Sequence, residues 1–171
     1  MSYLDLITFT HTVLSVVALV VGIAAVRGLF LGKSSDGARS AFVGLAAATS
    51  LTGFFFPFHG MTPAIGTGIV ALIILAIVQI ASHRVALSDA WRRVYAAGLV
   101  ATLYLLVFVA IVQAFAKIPG LRRLAPTQTE LPFTLTQFYA FGLFAFVGTY
   151  AAMRFRPAPN FRNQRAIDKP A

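Results

Sequence analysis

The side chains with the strongest ligating chemistry in this chain are its three histidines, His11, His59 and His83, in a sequence without cysteine. His11 lies inside a long apolar run, where an ionisable group is costly and marks a functional position. His59 follows the end of a second apolar run, with Met61 close behind. Two imidazoles, or an imidazole and a thioether, ligate haem iron axially, so His11 with His59 or Met61 is the set that haem would require. Gln113 and Lys117 close a further apolar run, and Gln137 and Tyr139 open the next. Their amides, ammonium and phenol suit a polar pocket for a quinone head or another amphipathic ligand. The competing reading is structural. A polar residue set among small ones also serves as packing glue, and His11 would then hydrogen-bond across helices to Thr52 or Gln113.

Other chemistries lack their residues. Asp5, Asp36, Asp89, Glu130 and Asp168 all fall in loops or near termini. No carboxylate therefore stands at mid-membrane to carry a proton or a cation, which argues against an ion-coupled transporter. A channel would need a polar path from Gln79 and Ser82 to His11, and the apolar middles of the third and fourth runs interrupt it. There is no glycine-rich phosphate loop, no Ser-His-Asp order and no His-x-x-x-His spacing, so an enzyme of a familiar soluble type is not expected.

Five apolar stretches must position the polar residues. They cover 6–26, 40–58, 63–82, 94–116 and 134–153, each about long enough to cross a ~30 Å hydrocarbon core as a helix. The expected fold is all-α: an integral membrane bundle of five transmembrane helices within residues 1–153, followed by a basic, proline-containing tail at 154–171. If the stretches alternate in direction, Arg27, Lys33, Arg39, Arg84, Arg92, Arg93, Arg154, Arg156, Arg162, Arg165 and Lys169 share one side. Only Lys117, Arg122 and Arg123 take the other. Positive charge favours the cytoplasmic side, so the N-terminus is expected outside and the tail in the cytoplasm. No Lys or Arg precedes the first stretch, and it outlasts a signal-peptide core of about 7–15 residues; a retained first helix is expected.

Composition agrees with a multi-pass membrane protein. Of 171 residues, 58% are hydrophobic and 11% charged, with a mean hydropathy of +0.82, far too apolar for an ordinary soluble domain. The net charge of +9 sits at segment ends and in the tail. That placement points to anionic lipid at the cytoplasmic face, contacted by Arg154, Arg156, Arg162 and Arg165, and away from nucleic acid.

Local patterns refine the helices. Thr8, His11, Ser15, Ala18, Gly22 and Ala25 recur at steps of three and four and form one small or polar stripe for helix packing. Gly44, Ala48 and Thr52 suggest a similar face on the second helix. Pro57 is expected to kink or end that helix, and Thr62 with Pro63 to start the third. Ser88 and Asp89 can cap the fourth helix. Leu121 to Leu124 is expected to lie along the membrane surface.

The His11 region, Gly22, the Gly32-Lys33 turn and the run Ala48 to Pro57 resemble a group of small multi-span bacterial inner-membrane proteins without an established activity. So do Leu103 to Phe115 and Leu124 to Gln128. The resemblance covers most of the chain and implies residence in a bacterial inner membrane. In its early His the chain is also faintly similar to small four-helix haem membrane proteins, which place several histidines in facing spans. The function expected is that of a non-enzymatic binding or accessory subunit with a polar pocket near the outer leaflet, working with a membrane-protein partner or a second copy. Haem or quinone binding at His11 and His59 is the alternative.

Overall fold

The computed structural model describes residues 2–31, 36–56, 63–85 and 88–155, and among them the regular structure is entirely helical. The helices are α1 (Tyr3–Leu31), α2 (Asp36–Gly53), α3 (Pro63–Arg84), α4 (Asp89–Lys117), α5 (Pro119–Leu124) and α6 (Leu131–Arg154). At ~1.5 Å per residue, α1 and α4 are about 43 Å long, α6 about 36 Å and α3 about 33 Å. By length and composition, four helices can cross a membrane: α1, α3, α4 and α6. At about 27 Å, α2 is shorter, and it carries Asp36 and Arg39 in its first turn. Its apolar part begins only at Ala41.

Successive helices run antiparallel. His11 meets Thr52 while Gly22 meets Phe42, which fixes the direction of α2 against α1. Gly68 lies by Phe54 and Gly98 by Val78, and the bulk of α4 packs between α3, α1 and α6. Along the α4–α6 seam, Phe115 meets Phe133, Gln137 reaches the Phe108 carbonyl, Tyr104 touches Phe141 and Phe144, and Gly148 lies against Val100. One end of the bundle therefore gathers the start of α1, the end of α2, the end of α4 and the start of α6. The opposite end gathers Arg27, Arg39, Arg84, Arg92, Arg93 and Arg154.

Small residues make these approaches close. Ala18, Gly22 and Ala25 of the α1 stripe are buried, His11 and Ser15 are half-buried, and Thr8 is exposed at the helix end. Large apolar residues occupy the other faces of α1, among them Val16, Val20 and Ile23. In a bilayer such side chains meet lipid, and helix association comes from packing and interhelical hydrogen bonds. On α2 the buried face is Arg39, Phe42, Ala46 and Thr49. Gly44 is exposed with open space around it. The packing face is thus centred away from Gly44, while Ala48 and Thr52 stay half-buried at its edge, Thr52 against His11; the bulky, fully buried Phe42 sets the orientation.

The helix ends follow their sequence signals. Ser88 caps α4, its Oγ accepting the Trp91 amide at 3.4 Å, and Asp89 pairs with Arg92 at 3.0 Å. After Lys117 the chain bends at Ile118 into α5, whose Ile118, Leu124, Arg122 and Arg123 are all exposed. The following turn is held by two side chains. Gln128, at a φ of 60°, donates its amide to the Val112 carbonyl at 2.9 Å. The Glu130 carboxylate accepts from the Thr127 amide at 3.1 Å, the Thr127 hydroxyl at 2.9 Å and the Thr129 amide at 3.1 Å.

Desolvation, the largest single effect, raises the Glu130 carboxyl, yet the hydrogen bonds from Thr127, Thr129 and its own amide together outweigh it and hold the group below its usual 4.5. Because the folded value is lowered, the stabilisation is complete above the ordinary carboxylate range and is lost as pH falls through the lowered value. Amide protection factors at Thr127 and Thr129, corrected for the intrinsic pH dependence of exchange, are expected to be high at pH 6, to fall as the pH drops through the lowered Glu130 value, and to be low throughout in Glu130→Gln. Equal protection at pH 6 in the variant would remove the carboxylate from this role.

Candidate functional site

His11 is held by two elements. Its Nδ1 lies 3.0 Å from the Thr52 hydroxyl of α2, and the ring also meets the Thr49 carbonyl. The Thr52 hydroxyl has a single proton, which it donates to the Thr49 carbonyl at 3.0 Å. With that proton on the carbonyl, the matching tautomer has Nδ1 donating to the Thr52 oxygen and the lone pair on Nε2; with the proton turned to the ring, Nδ1 accepts instead. Imidazoles that bind metals or accept ligand protons are oriented in this way, with one nitrogen tied to the protein and the other presented. The Phe56 ring stands edge-on to the imidazole at 5.4 Å and fixes its plane. Ser15, one turn along α1, returns its hydroxyl to the His11 carbonyl at 2.7 Å.

Thr49 differs from six of the helical hydroxyls. Ser15, Thr52, Ser82, Thr102, Thr136 and Thr149 each donate to a carbonyl one turn back. Thr49 is 6% exposed, and its hydroxyl has no hydrogen-bond partner. An unsatisfied buried hydroxyl costs on the order of 1–3 kcal/mol. Its backbone meets the His11 ring. Sequence reading missed it, because Thr49 sits in the run Ala46 to Thr52, where every residue except Leu51 is small and no periodicity marks one face. The available signal was its spacing of three from Ala46 and seven from Phe42.

The other residues expected at the site are distributed around the same end of the bundle. Lys117, exposed at the end of α4, is close enough to act electrostatically on the His11 ring. Gln113 is exposed on α4, and it is Thr52 that His11 meets. Gln137 turns into the α4–α6 seam, donating to the Phe108 carbonyl at 3.3 Å, and its Oε1 is buried without a partner. Tyr139 is 76% exposed on the outer face of α6, pointing away from the seam. His59, Met61, Arg156, Arg162 and Arg165 lie outside the described residues, as do Pro57, Thr62 and the 32–35 turn. His83 is exposed at the opposite end, beside Gln79 on its own helix. Among the described residues no group of three His, Asp or Glu side chains could hold a metal ion. The arrangement thus presents one half-buried imidazole, tied to Thr52 through Nδ1, at the end of the bundle that also carries Lys117.

At the opposite end, arginines lie over aromatic rings. The Arg39 guanidinium is 5.9 Å from the Tyr95 ring centre and 5.8 Å from that of Phe155. Arg84 lies 5.0 Å from Trp91, and Arg154 lies 5.5 Å from Tyr150.

No known protein family matches the chain, and no curated protein or solved structure is significantly similar to it.

Proposed function

We propose that the chain is a small multi-pass binding or accessory subunit of a bacterial inner membrane, built to hold an amphipathic ligand beside His11. In this reading α2 also crosses the bilayer, giving five spans with the N-terminus outside and the tail from Arg154 in the cytoplasm. The segregation of arginines to one end of an antiparallel bundle supports that orientation. The tail arginines Arg154, Arg156, Arg162 and Arg165 contact anionic lipid. The His11 end then lies toward the outer leaflet, where lipid-soluble molecules and a membrane-protein partner, or a second copy, have access. The observation that carries the reading is the tie of the half-buried His11 to Thr52 of α2 through Nδ1; with that nitrogen donating, Nε2 is left to a partner supplied from outside the chain.

The test compares wild-type and His11→Leu proteins purified in the same lipid nanodiscs. Mass spectrometry of organic extracts is expected to find a small molecule retained at least tenfold more by the wild type, with both proteins equally monodisperse and equally heat-stable. Indistinguishable extracts from two folded proteins would refute the reading.

A redox role is the second reading, because an imidazole tied to the protein through Nδ1 can ligate iron through Nε2. His59 or Met61 would supply the other axial ligand for haem, while a quinone would use the Nε2 lone pair. Protein from haem-replete cells should then show a Soret band that His11→Ala abolishes. A colourless wild-type protein would exclude haem.

A further inference from the structure

We infer that α5 and the end of α4 form an interfacial site for an anionic phospholipid, held by Lys117, Arg122 and Arg123. It lies at the end of the bundle opposite Arg39, Arg84 and Arg154, and it is independent of any ligand at His11.

Placement follows from length. From Arg93 to Lys117, α4 rises about 36 Å, slightly more than a hydrocarbon core of ~30 Å. With Arg92 and Arg93 at one interface, Lys117 reaches the other, and α5 begins two residues later at Pro119. The short helix packs chiefly against α4. Its inward strip is Leu121, half-buried, and Ala125, fully buried at the C-cap; four residues apart, they share one face. The hydrogen bond from Gln128 to the Val112 carbonyl closes the following turn back onto α4 and fixes this seat.

The rest of α5 is left outside the bundle. Leu124 and Ile118, three residues to either side of Leu121, are 58% and 51% exposed. Arg122 and Arg123 are exposed as well, about 100° and about 200° around the helix from Leu121. An apolar strip wider than the bundle covers, with cations on the remaining face, is the pattern of a helix lying where head groups meet acyl chains.

Charge selects the lipid. At the opposite end Arg39, Arg84 and Arg154 lie over rings and Arg92 pairs with Asp89. Among the described residues no carboxylate pairs with Lys117, Arg122 or Arg123: Glu130 accepts from Thr127 and Thr129, and Asp5 from Ser2. Three cations within seven residues, without a counter-charge, attract a lipid of net negative charge, and its phosphate oxygens match the guanidinium donors.

Because the chain has no cysteine, Leu124→Cys supplies a single thiol for a bimane label. The labelled full-length protein is placed in phosphatidylcholine vesicles in which a minor fraction of the lipid carries a quenching doxyl group high on its chain. That fraction is either phosphatidylglycerol or phosphatidylcholine. Phosphatidylglycerol is expected to associate at the label at least threefold more strongly than phosphatidylcholine. The preference is expected to vanish in Arg122→Gln with Arg123→Gln and to persist in Arg122→Lys with Arg123→Lys, all variants remaining monodisperse because these side chains are exposed. Quenching by neither lipid would put α5 in water or beneath another protein and overturn the inference. Equal quenching by both lipids, an undiminished preference in the glutamine pair, or its loss in the lysine pair would each overturn it as well.

Discussion

Replacing Gly22 with leucine is expected to lower the melting temperature of the detergent-purified protein by about 6–12 °C, the shift that about 3 kcal/mol produces in a chain of this size. Gly22 is where α1, α2 and α4 come closest. A β-carbon there would stand 2.5 Å from Phe42 Cε2 and 2.9 Å from Leu103 Cδ1. Leu103 can rotate a methyl away, but the Phe42 ring is fully buried and has no free direction. Overpacking of this kind costs about 1–3 kcal/mol for small insertions, and a leucine adds three further carbons. Alanine gives an informative contrast. Its helix propensity gains about 1 kcal/mol over glycine, which offsets part of the clash, so Gly22→Ala should fall well short of leucine. Because the three helices meet at this point, Gly22→Leu should also loosen His11 from Thr52. A melting temperature within about 2 °C of wild type for the leucine variant would mean the close approach is absent.

Arg39→Ala is expected to cost about 2–3 kcal/mol and to free the end of α6 from the bundle. Arg39 is 4% exposed and lies over Tyr95 of α4 and Phe155 just beyond α6. The two rings also touch each other, with centres 6.0 Å apart. A desolvated cation over an aromatic face contributes about 2 kcal/mol, and here one guanidinium links α2, α4 and the end of α6. The rest of α6 packs almost entirely on α4, with most of its large side chains exposed, so this contact is its principal tie to α2. Amide exchange should accelerate at Ala151 to Phe155 in the variant. Arg39→Lys should recover part of the loss, since it keeps the charge without the planar stacking surface. Unchanged exchange over those residues in Arg39→Ala would show that the rings hold α6 without the cation.

The helices were legible because a bilayer imposes a simple requirement on sequence: about 20 apolar residues for each crossing. Their ends were legible where a cap marks them. The apolar run of α4 starts near Val94, and Ser88, read as its cap, places the start at Asp89. No such signal marks the end of α1, which continues to Leu31, past Arg27. The stripe of α1 was readable, since its small residues contrast with Leu, Ile and Val on the other faces. That of α2 was not, because Gly, Ala, Ser and Thr fill nearly every position and Phe42 alone decides which side turns inward.

At the site, the sequence offered Thr52 and Gln113 as partners that could reach His11 across helices, and it is Thr52 that meets it. The tautomer could not follow, since it depends on where the Thr52 proton goes. Tyr139 shares its helix and depth with Gln137 but faces the other way, two residues being about 200° around a helix. Spacing of that kind separates residues that composition groups together.

The most direct test is nitrogen NMR of protein labelled only at histidine, in nanodiscs with native lipid extract, since the chain contains just three imidazoles. His11, identified by its loss in His11→Leu, is expected to show a protonated Nδ1 and an unprotonated Nε2, with the Nε2 resonance moving when extract replaces pure synthetic lipid. A protonated Nε2, or a resonance indifferent to the extract, would contradict a binding site at His11.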